Sequence, residues 1–262
     1  IQTQKESEFE CILIDDGSSD QSVSIAQANI QNDSRFHLIQ QPVNKGSALA
    51  NIVDGFNFIH PDQDSICIMI DGDDWLIDQY VFQRLLKLYL LSDTQLTYGQ
   101  YMTYPDQIKS NSQPLPDWVI QQNLYRCVYP FFLTPIRSFK GELWHQLDQH
   151  DLRTNDGHFF SSACDAAIMF SLAELANGNI TFIDEPLYVY NRTTPYHNDQ
   201  IHPNLQRNMM LEIRSKQTSC NRRLSEQDRW KMINETQLNE LLAIEQKVMI
   251  SFDKVGKSFF NE

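Results

Sequence analysis

The chain has 262 residues, enough for one large α/β domain or such a domain with an appended helical piece, and too few for two full domains. Lys and Arg number 21 against 34 Asp and Glu, and the net charge of −13 excludes nucleic acid or an anionic membrane as a partner for the whole surface, though not a locally basic pocket. Hydrophobic residues at 41% and aromatics at 11% support a packed core and exclude a disordered chain.

No apolar run approaches the roughly 20 residues of a membrane helix, and no secretory signal opens the chain. Five cysteines, at 11, 67, 127, 164 and 220, make no C-x-x-C pair, and Cys11 and Cys67 fall in expected core strands. An odd, scattered set of this kind predicts reduced thiols and a soluble, cytoplasmic protein.

Along the chain, Phe9 to Ile14 reads as a strand running into Asp15-Asp16-Gly17-Ser18-Ser19-Asp20, whose turn and cap chemistry leads into a helix from Ser19 to Ile30. Phe36 to Gln40 is a short strand, and Pro42 to Ala50 is a turn feeding a helix through Phe58. Lys45 and Gly46 stand at that helix start, where a cation beside free backbone N–H groups makes an anion site, although an isolated surface lysine is the plainer reading. Ile66 to Ile70 is a strand suited to burial on both faces, and it ends abruptly in Asp71-Gly72-Asp73-Asp74. Carboxylates that close repel one another unless a proton or cation lies between them, and oxygen-only ligation suits Mg²⁺ or Mn²⁺.

Tyr80 to Leu91 carries too many apolar residues for a thin stripe and predicts a largely buried helix. Leu96 to Tyr101 reads as a strand, 105–116 as a loop, and 129–141 as a lead into a short helix over Glu142 to Leu147. Ser161 to Ala176 predicts a helix capped by Ser161 or Ser162 and stopped by Asn177-Gly178, with Asp165 in its first turn. A strand over Asn179 to Asp184 follows, then Glu185 to Arg192, a polar loop with His197 and His202, and helices from Leu205 onward. Strands alternating with helices at this spacing predict a mostly parallel sheet wound with helices, and such sheets bind ligands at the carboxyl ends of their strands.

Three motifs in order, Ile12 to Asp20, Asn44-Lys45-Gly46 and Ile70 to Asp74, resemble the family 2 glycosyltransferases of GT-A fold. Arg137-Ser138-Phe139-Lys140, Asp165 to Met169 and Leu187 to Arg192 resemble the acceptor-side half of a bacterial and viral branch of that family. The resemblance covers roughly residues 1 to 200. It implies a glycosyltransferase domain over 1–203, with a nucleotide-binding half at 1–104, an acceptor-side half at 105–203, and a helical extension at 204–262. That family opens with a central strand before its first helix, and the resemblance implies that this strand lies upstream of Ile1.

The resemblance also implies roles. Asp15 and Asp16 would sit at the nucleobase, Lys45 and Gly46 at the nucleotide rim, and Asp71 at the ribose. Asp73, or Asp74 beside it, would hold Mn²⁺ or Mg²⁺, with His197 as a further ligand. Asp165 would be the general base of an inverting transfer from a nucleoside-diphosphate sugar, in all expectation UDP-linked, to a glycan, lipid or protein hydroxyl. Arg137 would touch acceptor or phosphate, with an internal salt bridge as the plainer alternative, and the C-terminal helices offer a homodimer surface. Two other readings compete, a nucleotidyltransferase of related fold and a non-catalytic sugar-nucleotide-binding scaffold.

Overall fold

The structure is a computed structural model that describes residues 1–129, 131–194, 203–216 and 232–243. Strand β1 (Cys11–Asp15) and strand β2 (Phe36–Gln40) pair in parallel as a two-stranded sheet, joined by helix α1 (Ser22–Ile30). Helix α2 (Ala48–Ile59) lies against β1. Its start is set by Ser47, whose Oγ accepts the Ala50 N–H at 3.3 Å, and its end by His60 in the left-handed region.

Five further strands form a mixed sheet: β3 (Ile66–Met69), β4 (Trp75–Leu76), β5 (Leu96–Tyr104), β6 (Arg137–Lys140) and β7 (Ile180–Asn191), in the order β3-β6-β5-β7-β4. β5 and β7 run in parallel, while β3 with β6, β6 with β5, and β4 with β7 are antiparallel. At the irregularity between β5 and β7 a Cβ on Gly99 would meet the Ile183 carbonyl at 2.4 Å, so only glycine lets these strands approach.

Helices α3 (Val81–Leu91), α4 (Asp117–Gln121), α5 (Gly141–Gln146), α6 (Cys164–Leu175) and α7 (Pro203–Ser215) complete the fold, with a further helix over 235–243. Helix α6 is largely apolar and is buried from Ala166 to Glu174, the behaviour of a core helix, with the buried Glu174 paired to Arg126. Each of Ile168, Met169, Phe170 and Leu172 there removes a large apolar side chain from water, worth roughly 1.5–3 kcal/mol apiece. Ile213 of α7 and Leu241 belong to the same core, and Arg126 donates to the Ile213 carbonyl at 2.6 Å. The described part of the C-terminal extension therefore packs directly on the sheet-bearing domain.

Several elements differ from expectation. α6 begins at Cys164, not at Ser161 or Ser162, and Ala163 occupies the cap position with φ 53 and no side-chain cap. The reason lies outside the helix: the Ser162 N–H donates to Met209 Sδ of α7 at 3.2 Å, which commits this backbone to tertiary packing. β6 falls in a stretch read only as a lead into a helix. It is a strand because Ser138 is received in the buried sheet by the hydroxyls of Thr97 at 2.6 Å and Tyr89 at 3.0 Å. β5 runs on to Tyr104, and the expected loop after it returns to pair Lys109 with Met102.

Candidate active site

The first group of candidates lies where β1 ends. The chain turns through Gly17 at φ 74, where a Cβ would come within 2.8 Å of the Asn44 nitrogen, so this glycine brings the Asp15-Asp16 turn against 43–45. Asp15 Oδ2 accepts the Ser18 N–H at 3.1 Å, and Asp16 Oδ1 accepts the Lys45 N–H at 2.9 Å. Gly46, also at positive φ, donates to Asn44 Oδ1 at 2.7 Å. The Lys45 ammonium is turned onto Asp54, whose carboxyl it holds below the usual range with help from Gln41.

A second group forms where β3 ends. The Asp74 N–H donates to the Asp71 carbonyl at 3.1 Å and closes a turn. Strand β7 then clamps that turn from across the sheet. The Asp71 N–H donates to the Tyr188 hydroxyl at 3.0 Å, the Asn191 N–H to Asp74 Oδ1 at 2.8 Å, and Asn191 Nδ2 to the Asp73 carbonyl at 3.1 Å. Thr194 Oγ1 donates to Asp73 Oδ2 at 2.6 Å.

The electrostatics of this turn follow from its crowding. Burial pushes the Asp74 carboxyl up to about 6, with bonds from Asn191 and Tyr188 opposing it and the charges of Asp71 and Asp73 adding to it. Asp74 Oδ2 is buried with no well-formed hydrogen bond, although the Tyr188 hydroxyl lies near enough to favour its charge. Asp71 is exposed at its surface yet surrounded by protein, and desolvation raises its carboxyl as well; Arg137 opposes the shift, while Asp165 and Asp73 reinforce it. Asp74 thus turns inward and ties the turn to β7, whereas Asp73 is exposed and bonds through Oδ2 to a hydroxyl of a short surface segment.

The third group joins the other two. Arg137 opens β6 directly opposite Met69, which sets its side chain beside the Asp71 turn. Its Nε donates to the Leu133 carbonyl at 3.0 Å and its Nη2 to Asp165 Oδ2 at 2.8 Å, so the salt bridge foreseen as an alternative is present. Asp165, in the first turn of α6, also accepts its neighbour's N–H, from Ala166, at 2.9 Å through Oδ1. Burial works against the Arg137 charge, but Asp165 and Asp71 outweigh it and hold its pKa above the ordinary value. Ser47 Oγ donates to the Phe160 carbonyl at 2.8 Å and ties the start of α2 to the segment leading into α6.

Asp71, Asp73, Arg137 and Asp165 accordingly form one electrostatic cluster, with the Asp15, Asp16, Lys45 and Gly46 group anchored nearby through α2. His197 and His202 lie outside the described residues. Tyr188, Asn191 and Thr194 hold the acidic turn and carry no local signal of it, because their partners lie 117 to 121 positions away. Among the described residues no group of three or more His, Cys, Asp or Glu side chains stands ready as a complete metal cage.

With this geometry in hand, the sequence profile of Glycosyl transferase family 2 matches residues 1–163, more than half of the chain. The chain belongs to glycosyl transferase family 2. Among curated relatives of this family 2 domain, an uncharacterized glycosyltransferase of Haemophilus influenzae is 31% identical over 93 residues, 36% of this chain and 35% of that protein. Glycosyltransferase GlyG of Streptococcus pneumoniae is 25% identical over 198 residues, 70% of this chain and 61% of GlyG. The family 2 domain therefore spans less than two thirds of either relative.

Among solved structures, S. aureus TarS 1-349 in complex with UDP-GlcNAc superposes with a TM-score of 0.59 at 17% identity, covering 99% of this chain and 70% of that one. TarS 1-349 in complex with UDP gives 0.55 at 16% identity, with coverages of 92% and 65%. At these identities the likeness speaks for the fold, which is of GT-A type, a central sheet flanked by helices. No helix among the described residues is long and apolar enough to cross a membrane.

Proposed function

We propose that this family 2 domain moves a sugar from a nucleoside-diphosphate sugar, with UDP as the nucleotide, to an acceptor hydroxyl on a glycan, lipid or protein. The observation that carries the reading is the convergence of Asp71, from the turn after β3, and Asp165, from the first turn of α6, on the buried Arg137 guanidinium, with Asp73 beside Asp71 in the same turn. Family membership supports the reaction class, and TarS, with UDP and UDP-GlcNAc bound in the same fold, supports the donor class.

In this reading the Asp15-Asp16 turn and the Lys45-Gly46 segment receive the nucleobase side, and Asp71 receives the ribose. Asp73, with Asp74 beside it, would hold Mn²⁺ or Mg²⁺. The donors suit such an ion, because Asp73 and Asp74 offer hard carboxylate oxygens and burial leaves Asp74 Oδ2 short of partners. When bound, such a cation neutralises charge that gathers on the departing diphosphate. Asp165 takes the proton of the acceptor hydroxyl, whose oxygen bonds to the anomeric carbon from the face opposite the diphosphate. The bond from that carbon to the phosphate oxygen breaks, the nucleoside diphosphate leaves with the electron pair, and configuration inverts.

A thermal-shift screen of nucleoside-diphosphate sugars with and without Mn²⁺ tests the reading. A UDP-sugar at a hundredfold excess over its Kd, together with Mn²⁺, is expected to raise Tm by about 5 °C or more. An unchanged melting curve across all the common sugar nucleotides would overturn it.

A further inference from the structure

The cluster contains one cation that the transfer chemistry does not itself require. Arg137 has a side chain only 11% exposed, set between a carboxylate of the donor-side turn and one on the acceptor-side helix. Its guanidinium is not free to swing, because Nε is held by the Leu133 carbonyl while Nη2 holds Asp165 Oδ2. Asp165 is fixed at both oxygens, by Arg137 at Oδ2 and by the Ala166 N–H at Oδ1. Each carboxylate oxygen offers two acceptor positions, so both oxygens retain capacity for a further proton donor. The Asp165 side chain is 37% exposed, and that open portion is where an acceptor hydroxyl can approach.

We infer that Arg137 is a positioning residue that fixes the orientation of the Asp165 carboxylate for the acceptor hydroxyl and leaves recognition of acceptor and phosphate to other groups. The inference rests on the reading of Asp165 as the general base. A planar guanidinium can bond the Leu133 carbonyl and the carboxylate at once in a fixed fork, whereas a lysine ammonium keeps the charge and loses the fork. A carboxylate released from that fork is misplaced, and misplacement of a reacting group by about 1 Å costs on the order of 10²-fold in rate.

The test compares steady-state kinetics of Arg137→Lys, Arg137→Met, Asp165→Asn and the double variant Arg137→Lys/Asp165→Asn, with UDP binding as the check that each is folded. Arg137→Lys is expected to lower kcat by about 10- to 100-fold with the donor KM within about twofold of wild type. In the Asp165→Asn background the same change is expected to cost nothing further, since Arg137 acts through Asp165. Arg137→Met, matched in length but without a donor, is expected to lose at least as much kcat, so either variant that binds UDP decides the matter. Wild-type kcat in a folded variant, or an undiminished loss in the Asp165→Asn background, would overturn the inference. Wild-type turnover by Asp165→Asn alone would overturn the assignment of the base instead.

Discussion

The two acidic turns of the molecule are built on opposite plans. The Asp15-Asp16 turn is held by close neighbours and one adjoining loop, through Ser18 and Lys45, and the helix that follows it, α1, buries no residue at all. The Asp71-Asp74 turn is held by Tyr188, Asn191 and Thr194, which lie 117 to 121 positions further along the chain, and the helix that carries Asp165 buries nine residues in succession. The first plan suits a surface that adapts to the flat face of a base. The second suits groups that must be held in fixed positions, as the proposed roles of Asp73 and Asp165 require.

Changes in the rigid region should therefore cost far more than changes in the adaptable one. Asp165→Asn keeps the shape of the site and removes the proposed base, so kcat is expected to fall about 10²–10⁴-fold while UDP affinity stays within about twofold, as read by steady-state kinetics and calorimetry. Glu174→Ala strips the partner from Arg126, whose Nε donates to it at 2.7 Å with both side chains fully buried. Leaving that guanidinium uncompensated is expected to cost about 3–5 kcal/mol in urea denaturation.

The Asp74 carboxyl, raised from 3.8 to about 6, yields a pH signature in protein freed of divalent cations. The folded state binds this proton more tightly than the unfolded chain, so the contribution to stability is fully present below pH 3.8 and is lost as pH rises through about 6. Lowering the pH from about 7 to 5 should then raise the wild-type Tm relative to that of Asp74→Asn, with added Mn²⁺ diminishing the difference. Lys45→Met is the mildest change: its pair with Asp54 is partly exposed and worth about 0–1 kcal/mol. The backbone N–H that holds Asp16 survives it, so UDP affinity should move only a few-fold.

Sequence and structure agree where chemistry is local. The apolar runs of β1, β2 and β3 mark strands by composition alone, although β1 and β2 prove half-buried rather than core, with Cys67 the buried residue of β3. The largely apolar sequence of α6 marks a core helix, and Asn177 and Gly178, both at positive φ, follow its end where turn chemistry predicts. The acidic motifs are legible because their residues are neighbours in the chain. β4 is two residues long and exists through the pairing of Trp75 and Leu76 with Val189 and Tyr188 of β7, which no local pattern encodes. β6 hides for a related reason, since its four residues begin with Arg137 and end with Lys140, masking the alternation of a strand. The grip of Tyr188, Asn191 and Thr194 on the acidic turn, and of Arg137 on Asp165, is set by sheet topology.

The central claim is that the Asp71-Asp74 turn receives a nucleoside diphosphate through a divalent cation. Isothermal titration of UDP into wild type and Asp73→Ala, each with Mn²⁺ and with a chelator, tests it most directly. The account predicts binding by wild type that requires Mn²⁺ and is lost in Asp73→Ala. Equal UDP binding with and without the metal, or an Asp73→Ala variant that binds as wild type does, would contradict it.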